Sequence, residues 1–226
     1  MPANTTVNTP NVDSPLAHAI LVLAAGESKR LGQPKQLLSK QGIPLVRYIV
    51  AEAIKTKPSE VVVVVGAEAL KMGNGVIVDE VGAAHAVREA LSGLTVRFAI
   101  NPAPSRGMAS SLRIGAAALY LHTGRILIMG IDQPRLSSAH LQRLLEVGAT
   151  HPDDEIASAY DDTVGLPVLV SYKLLARSHE LKGDVGLRGL LQAHPEHLIT
   201  VQLPELEFDV DNRQDITVAQ KNGWMD

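Results

Sequence analysis

The chain has 226 residues, of which 46% are hydrophobic and 20% are charged, and its formal net charge is −3. These values predict a folded domain with a large core and exclude a disordered chain. No apolar run approaches the roughly 18 residues that a transmembrane helix needs, so no membrane partner is expected. The negative charge and the aromatic content of 3% argue against nucleic acid as a partner.

Cysteine is absent from the chain. Its absence excludes disulfides, thiolate metal sites and a cysteine nucleophile, and it favours a cytoplasmic location. Residues 1–18 contain no Lys or Arg and no apolar core, which is not the pattern of a signal peptide. We expect these residues to form a disordered polar tail.

Strand-like runs recur along the rest of the chain at intervals too long for hairpins. The runs are Ala19–Ala24, Val61–Val65, Val96–Ile100, Ile126–Ile131, Leu166–Ser171 and Leu198–Leu203. Between them, apolar residues repeat at helical spacing within 45–54, 112–120 and 141–147. This alternation predicts a three-layer, Rossmann-like α/β fold, in which a mostly parallel twisted sheet carries helices on both faces. No linker interrupts residues 19–226, so a single domain is predicted.

The first strand leads into a small, polar and cationic loop within residues 21–38, LVLAAGESKRLGQPKQLL. Gly26 and Gly32 permit turns and a close approach to a ligand. Arg30 supplies a planar fork and Lys35 a point charge, which together suit a polyphosphate. The loop is therefore either a phosphate cradle or a solvated strand-to-helix connection. A P-loop and a GxGxxG motif after the first strand are both missing, which argues against P-loop NTPases and dinucleotide-binding dehydrogenases.

Three later segments carry candidate site residues. In NPAPSRGMASSL, residues 101–112, Ser110 or Ser111 caps a helix whose free N–H groups either meet a ligand or are simply capped. Asp132 follows an apolar strand and is either a Mg²⁺ ligand or a turn cap. In FDVDNRQDI, residues 208–216, Asp209 and Asp211 lie on one side of an extended segment, where they either complete a metal site or face solvent.

The pattern LxLAAGxSxRxGxPKxLL resembles the signature loop of the MobA-like nucleotidylyltransferase superfamily, whose fold is of the nucleotide-diphospho-sugar transferase type. Within that superfamily it is most similar to the MocA-like branch, the molybdenum cofactor cytidylyltransferases, because guanylyltransferase relatives usually carry Gly where this chain has Ala25. The resemblance covers about residues 18–217.

The resemblance implies a role for each matching residue. Arg30 would hold the β- and γ-phosphates, Lys35 the α-phosphate and the acceptor, and Asp132 with Asp211 the Mg²⁺ ion. Asp209 is the less favoured metal ligand, and Asp215 is either part of this segment or a cap of the last helix. The implied nucleotide-binding residues are Leu23, Ala24, Ala25, Gly26, Asn101, Gly107, Ser110 and Ser111. The implied acceptor-binding residues, which are equally well explained as turns, are Pro167, Gly183, Asp184 and Arg188.

Three features depart from the family pattern. Ile131 separates Gly130 from Asp132, whereas relatives generally carry Gly directly before the Asp. Asn212 and Arg213 stand where relatives carry Thr-Pro. About residues 68–84 form an insertion, which we interpret as an extra hairpin or a flap.

The function that the resemblance implies is transfer of CMP from CTP to the phosphate of molybdopterin, with Mg²⁺ as cofactor and release of pyrophosphate. A molybdenum hydroxylase or its chaperone would be a transient partner. Two alternatives share the chemistry: a molybdopterin guanylyltransferase, and a transferase acting on a sugar or polyol phosphate. An alternative of another class is a non-catalytic molybdenum-cofactor chaperone.

Overall fold

The computed structural model describes residues 16–28, 30–66, 68–72, 75–79, 83–120, 124–160 and 163–226. The predicted tail thus lies largely outside the described residues. The first strand already begins at His18, which is buried and hydrogen-bonded to Thr56 at 2.9 Å. Among the described residues, no helix is both long enough and apolar enough to cross a membrane.

The strands are β1 (His18–Ala24), β2 (Ser39–Lys40), β3 (Ile43–Pro44), β4 (Glu60–Gly66), β5 (Glu68–Met72), β6 (Gly75–Asp79), β7 (Arg97–Asn101), β8 (Arg125–Met129), β9 (Glu155–Tyr160), β10 (Thr163–Ser171) and β11 (Leu198–Gln202). The helices are α1 (Leu45–Ile54), α2 (Ala83–Ala90), α3 (Met108–Ala118), α4 (Ser138–Thr150), α5 (Tyr172–Ala176), α6 (Arg188–Gln192) and α7 (Arg213–Lys221).

Seven strands form the central sheet, in the order β11-β9-β10-β8-β1-β4-β7. Within this sheet β10 runs antiparallel to its two neighbours, and the other pairs are parallel. This confirms the predicted mostly parallel sheet. β1 lies between β4 and β8, and because these three strands are parallel, the loops that follow them lie at the same edge of the sheet.

Each face of the sheet carries its own hydrophobic core. Ile20 and Val22 of β1 pack on one face with α1, α2, α4 and α7, whereas Ala19 and Leu21 pack on the other with α3, α5 and α6. Because both faces are covered, the central strands are apolar at nearly every position after their first residue. Each fully buried Val, Leu or Ile side chain contributes about 1.5–3 kcal/mol to the free energy of folding. The packed sheet is therefore a rigid support for the loops that connect its strands and helices.

Several predictions about individual elements need correction. The strand-like runs predicted from the sequence omit β9, which pairs antiparallel with β10 as a hairpin beginning at Tyr160 and Thr163. β9 was not predicted because its sequence, EIASAY, is rich in Ala and Ser, which have weak strand propensity.

The helical stripe predicted for 112–120 is too long, because α3 ends at Ala118 and Tyr120 is 75% exposed. In the insertion at 68–84, β5 and β6 pair antiparallel, which confirms the hairpin interpretation.

Candidate active site

Two polar side chains shape the loop that follows β1. The Ser28 hydroxyl accepts a hydrogen bond from the backbone N–H of Lys35 at 3.1 Å. The buried Gln36 amide donates to the carbonyls of Ala24 (2.9 Å) and Gly26 (2.8 Å), so it ties the start of the loop to its end. Lys35 therefore projects from a loop that is fastened at both ends.

Lys35 joins the two carboxylates that the sequence assigned to a metal site. Its Nζ donates to Asp132 Oδ2 at 2.9 Å and to Asp211 Oδ1 at 3.3 Å. The Lys35 side chain is 15% exposed. Burial alone would lower its pKa, but the charges and hydrogen bonds of Asp132 and Asp211 outweigh that effect, and the pKa is raised. The structure thus brings together residues that are 79 to 176 positions apart in sequence.

Arg30 approaches the same cluster from the solvent side. Its Nη2 donates to Asp211 Oδ2 at 3.0 Å, and its side chain is 72% exposed. An ion pair this exposed contributes little to stability, about 0–1 kcal/mol. The guanidinium is consequently free to exchange Asp211 for another anion at small cost.

Gly130 makes room for the Asp132 carboxylate. A Cβ on Gly130 would lie 2.5 Å from Asp132 Oδ1, so a larger residue there would displace the carboxylate. Ile131, the departure from the family pattern, is 2% exposed and belongs to the core cluster that includes α4. The extra residue is therefore absorbed by packing, and Asp132 still emerges just beyond the end of β8.

The late acidic segment is held against Asp132 by its own backbone. The N–H of Val210 donates to the carbonyl of Asp132 at 2.8 Å. Asn212 caps α7, and Asp215 accepts from the backbone N–H groups of Asp211 (2.8 Å) and Asn212 (2.9 Å). This reciprocal capping confirms the helix-cap interpretation of Asp215. It also shows that Asn212 supports a regular turn in place of the family's Thr-Pro.

Arg213 extends from the first turn of α7 toward the loop after β1. Its Nε donates to the carbonyl of Leu31 at 3.4 Å. A cavity of about 400 Å³ beside this contact is lined by Leu31, Gly32, Gln33, Arg213 and Ile216.

Asp209 lies close to the two paired carboxylates and has no ion-pair partner of its own among the described residues. Although part of its surface is exposed, the protein packed around the carboxyl and the charges of Asp132 and Asp211 raise its pKa to about 7. Tyr160 stands beside this cluster, and burial raises the pKa of its phenol to about 12. The cluster therefore concentrates negative charge that a cation would relieve.

The second predicted loop is internally satisfied. Asn101 is buried and its amide donates to the hydroxyls of Ser110 (2.8 Å) and Ser111 (3.1 Å). Ser110 in turn donates to the carbonyl of Gly107 at 2.7 Å. The prediction that Ser110 or Ser111 caps α3 was wrong, because Gly107 occupies the cap position and no side chain caps the helix. The side chains of Asn101, Ser110 and Ser111 therefore point into the loop and fix its shape.

The loops predicted to bind the nucleotide and the acceptor meet at Gly107. Gly107 has a φ of 81°, and a Cβ there would collide with the backbone of Gly183 and the carboxylate of Asp184. The backbone N–H of Ala109 donates to the carbonyl of Gly183 at 3.1 Å. Thus two segments predicted to serve different substrates form one continuous surface at the start of α3.

The two remaining acceptor-side residues differ in exposure. Arg188 is exposed, and its Nε donates to the carbonyl of Val164 at 2.8 Å. Pro167 is buried in β10, where its carbonyl accepts from the hydroxyl of Ser158 at 2.6 Å. Of the two, only Arg188 presents a side chain to solvent.

Gln36, Gln133 and Tyr160 are site residues that the sequence reasoning missed. Each Gln directly follows a charged site residue, Lys35 or Asp132, and is nearly fully buried. The sequence does show a polar residue next to each charged motif residue. It does not show that the side chain is buried, because the exposure of a loop residue cannot be predicted from the local sequence.

The donor set determines which ligands the cluster can hold. Among the described residues, no group of three or more His, Asp or Glu is arranged to hold a metal ion by itself. Two carboxylates such as Asp132 and Asp211 nevertheless match Mg²⁺ or Mn²⁺, which bind through one or two carboxylates completed by substrate phosphates and water. With Lys35 and Arg30 alongside, the arrangement can bind a polyphosphate and neutralise charge on it.

A family model described as a MobA-like NTP transferase domain matches residues 20–198 of the chain. Nicotine blue oxidoreductase from Paenarthrobacter nicotinovorans is 34% identical over 179 residues, which cover 79% of this chain and 76% of that protein.

Solved structures give similar matches. Rv0371c from Mycobacterium tuberculosis H37Rv has a TM-score of 0.72 and 27% identity, covering 91% of this chain and 98% of that one. A complex of Rv0371c with manganese has a TM-score of 0.68 and 23% identity, and the match covers 92% of this chain and 100% of that one. A nucleotidyl transferase from Methanothermobacter has a TM-score of 0.71 and 25% identity, covering 92% and 97%.

Proposed function

Since the chain belongs to the family of MobA-like NTP transferase domains, we propose that it is an enzyme that transfers CMP from CTP to the phosphate of molybdopterin and releases pyrophosphate. The observation that carries the proposal is the cluster in which Lys35 bonds both Asp132 and Asp211. Anions and cations held this closely at the edge of a parallel sheet suit a metal-assisted reaction on a polyphosphate.

In the proposed reaction, an oxygen of the acceptor phosphate attacks the α-phosphorus of CTP in line. A new P–O bond forms there, while the bond from the α-phosphorus to the oxygen bridging the β-phosphorus breaks, and that oxygen leaves with pyrophosphate. Such a transfer needs alignment and charge neutralisation more than it needs an acid or base. When bound, Mg²⁺ supplies Lewis-acid stabilisation of the phosphate oxygens.

The residues of this chain divide the remaining work. Lys35 stays protonated because its pKa is raised, so it acts as a fixed charge on the α-phosphate and acceptor. Arg30 exchanges its exposed contact with Asp211 for the β- and γ-phosphates. Asp132 and Asp211 hold the divalent cation. The manganese complex of a protein with the same fold supports a divalent-cation site.

Loop backbone and acceptor-side groups position the two substrates. We assign the base and ribose to the backbone around Leu23, Ala24, Ala25, Gly26 and Gly107, shaped from below by Asn101, Ser110 and Ser111. The acceptor would lie along Gly183, Asp184 and Arg188. Pro167, which is buried, would support that surface from behind.

The choice of CTP depends on Ala25, which is buried beside the end of β4. Bases are discriminated strongly where an unmatched polar group would be buried. The cytoplasm remains the proposed location, and a molybdenum hydroxylase or its chaperone the proposed recipient of the product.

The test is pyrophosphate release from each of the four NTPs, with Mg²⁺ and with or without molybdopterin. Release that requires CTP and molybdopterin supports the proposal. Comparable kcat/KM for GTP would contradict the cytidylyl branch, and turnover with a sugar or polyol phosphate in place of molybdopterin would contradict the acceptor. Binding of the pterin without turnover of any NTP would favour the chaperone alternative.

A second candidate is an oxidoreductase, because the 34% identical relative is named nicotine blue oxidoreductase. It is distinguished by following oxidation of NADPH or NADH with nicotine blue as acceptor. Oxidation of NADPH or NADH that depends on nicotine blue, without pyrophosphate release from any NTP, would favour this candidate.

A further inference from the structure

Gln133 connects three segments of the chain behind the carboxylate cluster. It follows Asp132 directly and is 4% exposed. Its Nε2 donates to the carbonyl of Leu206 at 2.7 Å and to that of Leu166 at 3.1 Å, and it lies 2.9 Å from the Tyr160 hydroxyl. One amide group thus links the loop after β8 to β10, to β9 and to the segment that carries Asp211.

The segment that carries Asp211 is irregular backbone, anchored in the core by Val210 and paired at Asp211 with Arg30 and Lys35. Residues 207–212 belong to no strand or helix in the part of the chain that the structure describes. The Gln133 bond to Leu206 holds its start, the Val210 bond to the Asp132 carbonyl its middle, and the cap of α7 its end. Two of the hydrogen bonds that fix this backbone relative to Asp132 therefore come from the loop that contains Gln133.

The NH₂ group of the Gln133 side chain, and not its carbonyl oxygen, makes these connections. Gln133 Oε1 is buried and has no hydrogen-bond partner among the described residues. A buried acceptor without a partner is unfavourable. If packing were its only role, an apolar side chain of the same size would be more favourable at this buried position. The advantage of glutamine is therefore its two N–H donors.

We propose that Gln133 is a positioning residue that sets the separation of Asp132 and Asp211 and thereby the affinity of this pair for a divalent cation. This rests on the proposed function, in which the two carboxylates share one cation. Gln133 itself contacts no ligand, because it is buried. Partners that orient metal-binding carboxylates typically change metal affinity by about 10–100-fold when they are removed.

The experiment measures Mn²⁺ binding to the full chain by electron paramagnetic resonance, without nucleotide. Gln133→Met keeps the size of the side chain and removes both donors, so we expect Mn²⁺ affinity to fall on the order of 10-fold or more. Thr56→Val is the matched control, because it removes a buried hydrogen bond to His18 at the far end of β1 and should leave Mn²⁺ affinity unchanged.

Gln133→Glu provides a second variant, which decides the question if Gln133→Met does not fold. The carboxyl group that this substitution introduces donates one hydrogen bond when protonated and none when ionised, so it cannot serve the carbonyls of both Leu206 and Leu166, and positioning predicts weaker Mn²⁺ binding. Electrostatics alone predicts the opposite, because the substitution adds negative charge beside the carboxylate pair.

Unchanged or tighter Mn²⁺ binding in the folded variants would overturn the inference, as would a wild-type protein that binds no Mn²⁺. Neither measurement requires turnover. A wild-type protein that binds Mn²⁺ in a Gln133-dependent way but releases no pyrophosphate would contradict the proposed function and leave this inference in place.

Discussion

At the scale of single residues, the centre of the candidate site is an ammonium group shared by two carboxylates. Lys35 Nζ lies 2.9 Å from Asp132 and 3.3 Å from Asp211. Because both carboxylates are also the proposed cation ligands, the lysine and the cation compete for the same oxygens when no nucleotide is bound. This competition distinguishes a phosphate-binding lysine from one that merely stabilises the fold.

We predict that Lys35→Met lowers kcat by about 10²-fold or more, because a charge on the transferring phosphoryl group is lost. The same substitution should tighten Mn²⁺ binding to the nucleotide-free protein, since the competing ammonium is gone. Turnover and Mn²⁺ titration check the two effects. Lys40→Met is the control, because Lys40 donates to the carbonyl of Trp224 away from the cluster. Weaker Mn²⁺ binding in Lys35→Met would contradict the competition.

Asp209 predicts a dependence of stability on pH. Its pKa is about 7 in the folded protein, against an ordinary value of 3.8. Between these values the folded state holds a proton that the unfolded state has released, so stability falls as pH rises from about 4 to 7. Below about pH 4 both states are protonated and the penalty vanishes.

Asp209→Asn should therefore raise the melting temperature at about pH 8 in metal-free buffer and have little effect near pH 4. Thermal melts of the two proteins across this range provide the measurement. An equal shift at both pH values would mean that Asp209 is not subject to the repulsion described. Adding Mg²⁺ at the higher pH should reduce the difference, because the cation shields Asp132 and Asp211.

At the scale of elements, the decisive contact is the one between the start of α3 and the loop at Gly183. Gly107 adopts a φ of 81° at this junction, a conformation that residues with a Cβ rarely adopt. It also leaves no space for a Cβ next to Gly183 and Asp184. The loops predicted to bind the nucleotide and the acceptor are consequently packed against each other at Gly107.

We predict that Gly107→Ala destabilises the protein by about 1–3 kcal/mol through backbone strain. It should also weaken the binding of both substrates, because it separates the two loops. Gly189→Ala is the matched control, since nothing lies within 4 Å of its added Cβ and it stands in α6; there alanine should be neutral or slightly stabilising. Chemical denaturation and the KM values for both substrates test this. Equal stability of the two variants would rule out the close packing at Gly107.

At the scale of the whole molecule, the sheet brings together carboxylates that lie 79 residues apart in sequence. Asp132 follows the buried strand β8, and Asp211 precedes α7, which packs on one face of the same sheet. Because neither residue is near the other in sequence, their joint contact with Lys35 depends on the complete fold.

We predict that Asp132→Asn and Asp211→Asn each abolish most activity, and that the double variant is little worse than either, as for residues that act as a unit. Asp209→Asn should impair turnover less, because the hydrogen bonds of Lys35 go to Asp132 and Asp211. Pyrophosphate release by the four proteins is the measurement. Additive losses in the double variant would mean that the two carboxylates work separately.

Much of the candidate site was predictable because most of its charged residues lie in short contiguous sequence motifs. The loop from Ala24 to Lys35 and the aspartate after β8 could be recognised from residue type, spacing and position after an apolar strand. The alternation of strands and helices likewise predicted a mostly parallel sheet, since strands buried on both faces must be apolar throughout.

Other features required the tertiary structure, because burial and long-range contacts do not follow from local patterns. Ser110 reads as a helix cap but instead bonds Gly107, and β9 is hidden in a segment of small residues. The sequence by itself determined which side chains carry charge for a phosphate and a cation. Only the fold decided that Lys35 sits between Asp132 and Asp211, because that contact joins three segments that come together through sheet packing and the hydrogen bonds of their loops.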